Sequence, residues 1–200
     1  MVSMRERKRA ETRQRISDRA TRLFERDGFE KVTLAQVAEA ADVSVKTVTN
    51  YFGAKEDLFF DAEPAILEAL QSALSHRDSE SPTAVLYPII LDGPILAGPC
   101  PWSDLDTAQW EAMRVWAECE RNSPTLTTRR AAILQSWIEP LATASGSVAW
   151  AAMLVGILML RHNIVQQGLI DRDRPLDVEQ QLSRTVAQAL DALERGFQGF

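Results

Sequence analysis

The stretch Thr33-Leu-Ala-Gln-Val-Ala-Glu-Ala-Ala-Asp-Val-Ser-Val-Lys-Thr-Val-Thr-Asn-Tyr-Phe52 has few ways to fold. Thr33 stands three residues before Gln36, the spacing of a capping box, and Ser44 can cap a second helix that opens with Val45, Lys46 and Thr47. Leu34, Val37, Ala38 and Ala41 repeat at helical spacing, and Val45, Val48 and Phe52 share one face of the following helix. Two short helices can therefore bury their apolar faces against each other across a sharp Ala41-Asp42-Val43 turn. Their outward side chains, Lys46, Thr47, Thr49 and Asn50, are cationic or can donate and accept hydrogen bonds. A helix lying in a major groove needs such groups, because base edges there carry a donor and acceptor code.

The pattern resembles the amino-terminal domain of the TetR family of bacterial transcription regulators over roughly residues 9–60. The matching features are a preceding amphipathic helix ending in Arg26-Asp27-Gly28-Phe29, the Val32-Thr33-Leu34 entry, the Ala-x-x-Ala-x-Val-Ser turn region and the Asn-Tyr-Phe-x-x-Lys-Glu-Asp-Leu exit. The resemblance implies that Thr33 and Tyr51 touch phosphates, that Lys46 and Thr47 meet the groove, and that Lys55 anchors the next helix to the DNA backbone. With these, Ser44, Val45, Thr49 and Asn50 complete the candidate DNA-binding set. Two positions depart from the pattern: Asp42 stands at the usual turn glycine, and Thr49 replaces a frequent phosphate-binding tyrosine. Aspartate tolerates the left-handed backbone better than most residues, so the turn is expected to survive.

The net charge of -6 looks wrong for a nucleic-acid binder until it is divided. Residues 1–57 hold 12 Lys and Arg against 10 Asp and Glu, net +2, and the remaining residues hold 10 against 18, net -8. Arg5, Arg7, Lys8, Arg9, Arg13 and Arg15 form a basic arm leading into the first helix. A charged terminus often does no more than solvate, but beside a helix-turn-helix it suits a phosphate backbone. With 46% hydrophobic and 25% charged residues, the 200-residue chain has the composition of a folded protein and not of a disordered one. Cys100 and Cys119 have no Cys-x-x-Cys or Cys/His ligand spacing, so neither a metal, another cofactor nor a disulfide is indicated. The charged amino terminus does not read as a secretory signal, and the apolar run 148–160 is shorter than the roughly 20 residues of a spanning helix. Cytoplasmic residence without a membrane role is the expectation.

Helical periodicity continues along the chain, with helices expected at 9–26, 55–74, 83–91, 104–121, 124–143, 147–167 and 176–197 in addition to the central pair. No stretch shows sustained strand alternation. The fold class is all-α, and the resemblance implies about nine helices: a three-helix DNA-binding head at 1–54 and an effector-binding and dimerisation domain at 55–200.

In that larger part Phe60, Tyr87, Trp102, Trp110, Met113, Trp116, Trp137, Met153 and Ile157 could line a pocket, with Arg161 orienting the polar end of an amphiphilic or aromatic effector. Tryptophans at helical spacing equally fill a solid core. Val178, Leu182, Val186, Ala189, Leu190, Leu193 and Phe197 form an apolar stripe that needs a partner, and Ala149, Ala152 and Gly156 would let helices approach closely. A homodimer through the last two helices satisfies both, and two heads about 34–36 Å apart could read successive major grooves of operator DNA; an intramolecular core competes with it. An enzyme would need His162 or Cys119 as a catalytic group, and no Ser/His/Asp, Cys/His or paired-carboxylate spacing accompanies either. A repressor released by a small effector is therefore the expected function. A ligand-independent regulator controlled by a protein partner, or an activator, is the alternative.

Overall fold

A computed structural model describes residues 3–92 and 105–197; the expected pocket residue Trp102, together with Cys100, lies outside them. The described residues form eleven α-helices and one short 3-10 turn at Phe29–Lys31, with no strand. The helices are α1 (Met4–Asp27), α2 (Leu34–Ala40), α3 (Val45–Tyr51), α4 (Glu56–Phe59), α5 (Glu63–Ser75), α6 (Pro82–Asp92), α7 (Thr107–Arg121), α8 (Pro124–Ser136), α9 (Ile138–Ser145), α10 (Val148–Asp171) and α11 (Pro175–Gly196).

Two expected helices are each divided, and proline explains both breaks. The 55–74 helix stops at Phe60, because Pro64 has no N–H for the Phe60 carbonyl; Pro64 sits instead in the first turn of α5, where no such bond is required. The 124–143 helix is interrupted at Trp137, whose N–H reaches only three residues back to the Leu134 carbonyl (3.1 Å). Pro140 removes the donor that would have bonded Ser136 and crowds its carbonyl.

The chain divides into two compact units, Met1–Ala62 with Cys119–Arg129, and Glu63–Glu118 with Arg130–Phe200. The first unit thus runs past residue 54 and takes in a segment from far along the chain. Its core stacks Ile16, Ala20 and Phe24 of α1 with Phe29, Val37, Val48, Phe52, Leu58 and Phe59. Phe24, Phe29 and Phe59 form a ring cluster with centroids 5.2 to 6.1 Å apart. Helix α1 starts five residues earlier than the periodicity suggests, because Ser3 and Glu6 close a capping box at its first turn. The basic arm is therefore helix, and its cations are held at fixed angular positions.

The second unit is built around α10, which buries Trp150, Leu154, Leu158, Val165 and Leu169 among others. Helix α11 lies along it. A Cβ placed on Gly168 would come within 2.4 Å of a Val178 methyl, so the two helices touch where glycine stands. The Trp150 indole donates to the Thr83 hydroxyl (2.9 Å), both groups being buried. At 24 residues α10 is longer than the apolar run in it and is long and apolar enough to cross a membrane, but 56% of its most apolar window is buried inside the protein. Arg161 and His162 are among its buried residues.

The α11 stripe is resolved against the expectation that it seeks a second subunit. Val178, Leu182, Val186, Leu190 and Leu193 are all buried in the core of their own unit. The apolar face left open lies on α10, where Ala149, Ala152, Met153, Gly156 and Leu160 are exposed. They follow helical spacing along one side of the helix.

Candidate nucleic-acid interface

Helix α2 begins as its sequence dictates: Thr33 Oγ1 accepts from the Gln36 N–H (3.3 Å), and Gln36 Oε1 accepts from the Thr33 N–H (2.8 Å). The Thr33 hydroxyl also donates to that same Gln36 oxygen (3.0 Å), so its first task is the cap. The turn closes with the Val43 N–H on the Ala38 carbonyl (3.0 Å) and Asp42 at φ 53, the left-handed conformation expected there. Ser44 then caps α3, accepting from the Thr47 N–H (3.0 Å), and the two hydroxyls are hydrogen-bonded to each other (2.8 Å).

These bonds sort the candidate residues. Ser44 and Thr47 are joined at the first turn, and Thr49 donates to the Lys46 carbonyl (3.1 Å). Lys46 and Asn50 are exposed, four residues apart on one face, and neither side chain has a hydrogen-bond or ion-pair partner among the described residues. Val45, expected on the inward face with Val48 and Phe52, is 43% exposed and presents its methyls outward; Val48 and Phe52 alone are buried. An exposed methyl beside a free cation and a free amide can meet a thymine methyl and the polar edges of neighbouring bases. Tyr51 is half-buried, with the Arg9 guanidinium carbon 6.0 Å from its ring centre.

Lys55, expected as the backbone anchor, is also engaged inside the protein. Its ammonium donates to the carbonyls of Phe29 (2.9 Å) and Val32 (3.1 Å) and lies 4.0 Å from the centre of the Phe29 ring. It thereby staples the 3-10 turn and the α2 entry to the segment preceding α4. Replacing Lys55 by methionine keeps the stem and removes three donors, with an expected loss of about 2–4 kcal/mol of stability from two charge-assisted bonds and one cation–π contact. Urea unfolding checks the cost. The slope of log affinity for DNA against log salt is expected to stay unchanged, and a slope shallower by about 1 would return Lys55 to the phosphates.

A second staple has no local signature in the sequence. Asp61 accepts a hydrogen bond from Ser17, its carbonyl accepts from Arg13 (3.2 Å), and the Arg13 guanidinium stacks over Phe52 at 4.7 Å. These residues are 44 and 48 positions from Asp61, and only the fold brings them together.

The expected effector-pocket residues that are described fall in several elements. Phe60 belongs to the first unit and packs edge-on against Phe59 at 5.0 Å. Trp137 and Ile157 are core residues of the second unit, and Tyr87, Trp110 and Met113 pack against that core. The Trp110 indole donates to the Asp173 carbonyl (3.1 Å). Trp116 is half-buried on α7, and Met153 is 53% exposed. Arg161 is buried and donates through Nε to the Ile90 carbonyl (2.7 Å), so one of its donors serves the end of α6. An open depression of about 700 Å³ lies elsewhere, lined by Gln135, Ser136, Ile138, Glu139, Ala142, Thr143, Gly146 and Val148.

Burial pushes the Cys119 thiol pKa up. His162 belongs to the other unit. Among the described residues no group of His, Cys, Asp and Glu is placed to hold a metal ion.

Residues 16–62 match the family model described as bacterial regulatory proteins, tetR family. The chain is 36% identical over 74 residues to the HTH-type transcriptional regulator TcmR of Streptomyces glaucescens, a match covering 37% of this chain and 33% of that protein. The chain thus spans about one third of the length of this curated relative. Among solved structures it resembles NalD, the secondary repressor of the MexAB-OprM multidrug efflux pump in Pseudomonas aeruginosa, at TM-score 0.53 and 21% identity over 94% of this chain and 97% of that one. It also resembles a TetR transcriptional regulator from Rhodococcus sp. RHA1 at TM-score 0.52 and 17% identity, over 93% and 97% of the two chains. At these identities the likeness is one of fold.

Proposed function

We propose, from the premise that this chain is a TetR-family transcriptional regulator, that it is a homodimeric repressor which binds operator DNA in the cytoplasm and leaves it when a small effector occupies the second unit. The observation that carries DNA reading is the pair Lys46 and Asn50, exposed and without side-chain partners on a helix whose two threonines are engaged. Lys46, Asn50 and the Val45 methyls read bases, while Thr33 and Tyr51 border the phosphates. Repression is favoured by the solved relative named as a repressor.

The effector is an amphiphile or an aromatic molecule with a polar end, received by the second unit. The depression beside α9 has a volume within the usual range of about 300–1,000 Å³ for ligand sites and offers Ile138, Ala142 and Val148 beside Gln135, Glu139 and Thr143. A ligand releases DNA only through unequal affinity for the two conformations, and a 100-fold preference corresponds to roughly 2.7 kcal/mol.

The test of DNA reading is selection of duplexes from a random pool, followed by competition of the winner against random sequence. The wild type is expected to prefer the selected duplex. Lys46→Ala is expected to shrink that preference by about 5- to 150-fold, the equivalent of 1–3 kcal/mol for one base-reading contact. A wild-type protein with no preference in low salt would end the regulator reading.

A further inference from the structure

The geometry points to a second DNA site on the first unit: a phosphodiester clamp in which Arg5, Lys8 and Arg9 of α1, facing Asn50 and Tyr51 of α3, grip the strand bordering the bases read by Lys46. It rests on the DNA-binding reading above and adds a place where the backbone is held. A cleft of about 440 Å³ is lined by Arg5, Lys8, Arg9, Thr12, Asn50 and Tyr51, three cations and no carboxylate. Arg5, Lys8, Arg9 and Thr12 fall at i, i+3, i+4 and i+7, one face of α1.

Three cations of this helix have acidic partners: Arg7 pairs with Glu11 (3.8 Å), Arg13 with Asp61 (3.8 Å) and Arg26 with Asp27 (2.6 Å). Arg5, Lys8 and Arg9 have no ion pair among the described residues, and the adjacent Glu6 carboxylate is engaged by the Ser3 N–H (2.7 Å). Like charges gathered on one face repel one another, and an anion bound between them relieves that repulsion. Three donors along the side of a cleft fit the evenly charged edge of a duplex. Tyr51 adds a hydroxyl at its other wall.

The site lies where a strand would run. Helix α3 has seven residues and is about 10 Å long, close to the roughly 12 Å width of the major groove. With Lys46 and Asn50 against bases, its last residue, Tyr51, reaches the groove rim, where the phosphates stand.

Because the clamp ignores sequence, its test needs no known operator. Affinity for a random-sequence duplex and for a duplex selected by the wild type is measured across salt for three proteins: wild type, Arg5→Gln/Lys8→Gln/Arg9→Gln, and a control, Arg15→Gln/Arg19→Gln/Arg22→Gln. The control removes the same charge from exposed positions of α1 outside the cleft. The cleft variant is expected to flatten the salt slope by about 2.7 per head, about 5.4 for the dimer, so that the wild-type dimer loses about 2,000-fold more affinity than the variant between 50 and 200 mM salt. Its preference for the selected duplex should persist, and the control should shift the slope by less than about 1. An unchanged slope in the cleft variant, or equal flattening in both variants, overturns the clamp while leaving base reading intact. Loss of sequence preference in the wild type itself is the separate failure of the underlying reading.

Discussion

Replacing Arg130 by methionine is expected to cost about 3–5 kcal/mol of unfolding free energy, the largest single effect on stability proposed for this chain. Arg130 of α8 and Glu63 at the start of α5 form an ion pair in which both side chains are buried. The loss comes less from the missing attraction than from a carboxylate kept out of water without its guanidinium. The double variant Arg130→Met/Glu63→Leu is expected to recover most of the stability, since apolar groups of similar volume often equal or better a buried pair. Urea unfolding of the two variants decides the matter: a single-variant cost under about 1 kcal/mol would mean that water or other partners already satisfy the carboxylate. The pair also marks the chain. Glu63 and Arg130 are the first residues of the second unit after each of the two crossings from the first, so it closes that unit where the polypeptide twice enters it.

What could be read before folding divides along a physical line. The caps at Thr33, Gln36 and Ser44 and the left-handed Asp42 are local facts, decided within three or four residues, and the structure contains each of them. So are the prolines: Pro64 and Pro140 each split a helix whose apolar spacing runs straight through. Spacing reports which face of a helix is apolar and nothing about what covers it. The α11 stripe and the exposed α10 strip show this, because sequence suggests a partner for both and only the fold assigns α11 to its own core.

The contacts of Lys55 are of another kind. Its neighbours in space are carbonyls 26 and 23 residues away, and no local motif records them. The aromatic set is a third kind of case. Composition shows that the second unit holds many large side chains, but a tryptophan looks the same in sequence whether it faces a core, as Trp137 does, or a surface.

Gly156→Glu is expected to leave the subunit fold intact and to destroy the dimer, with a loss of about 10³-fold in affinity for a two-half-site operator because single heads no longer bind together. The site makes the test clean. A Cβ at Gly156 meets nothing within 4 Å inside the chain, and glutamate is the better helix former by roughly half a kcal/mol or more, so unfolding free energy should hold or rise. Gly156 is also central to the exposed apolar line from Ala149 to Leu160, the face that a second copy of α10 would cover about a two-fold axis. On such an axis the substitution places two carboxylates near each other in a desolvated seam, where like charges are strongly unfavourable. Analytical ultracentrifugation should report the 22.3 kDa chain alone for the variant and twice that for the wild type. A variant that sediments as a dimer and binds DNA normally would move the subunit interface off α10. The buried α11 stripe could not then supply it without unfolding the core that now covers it.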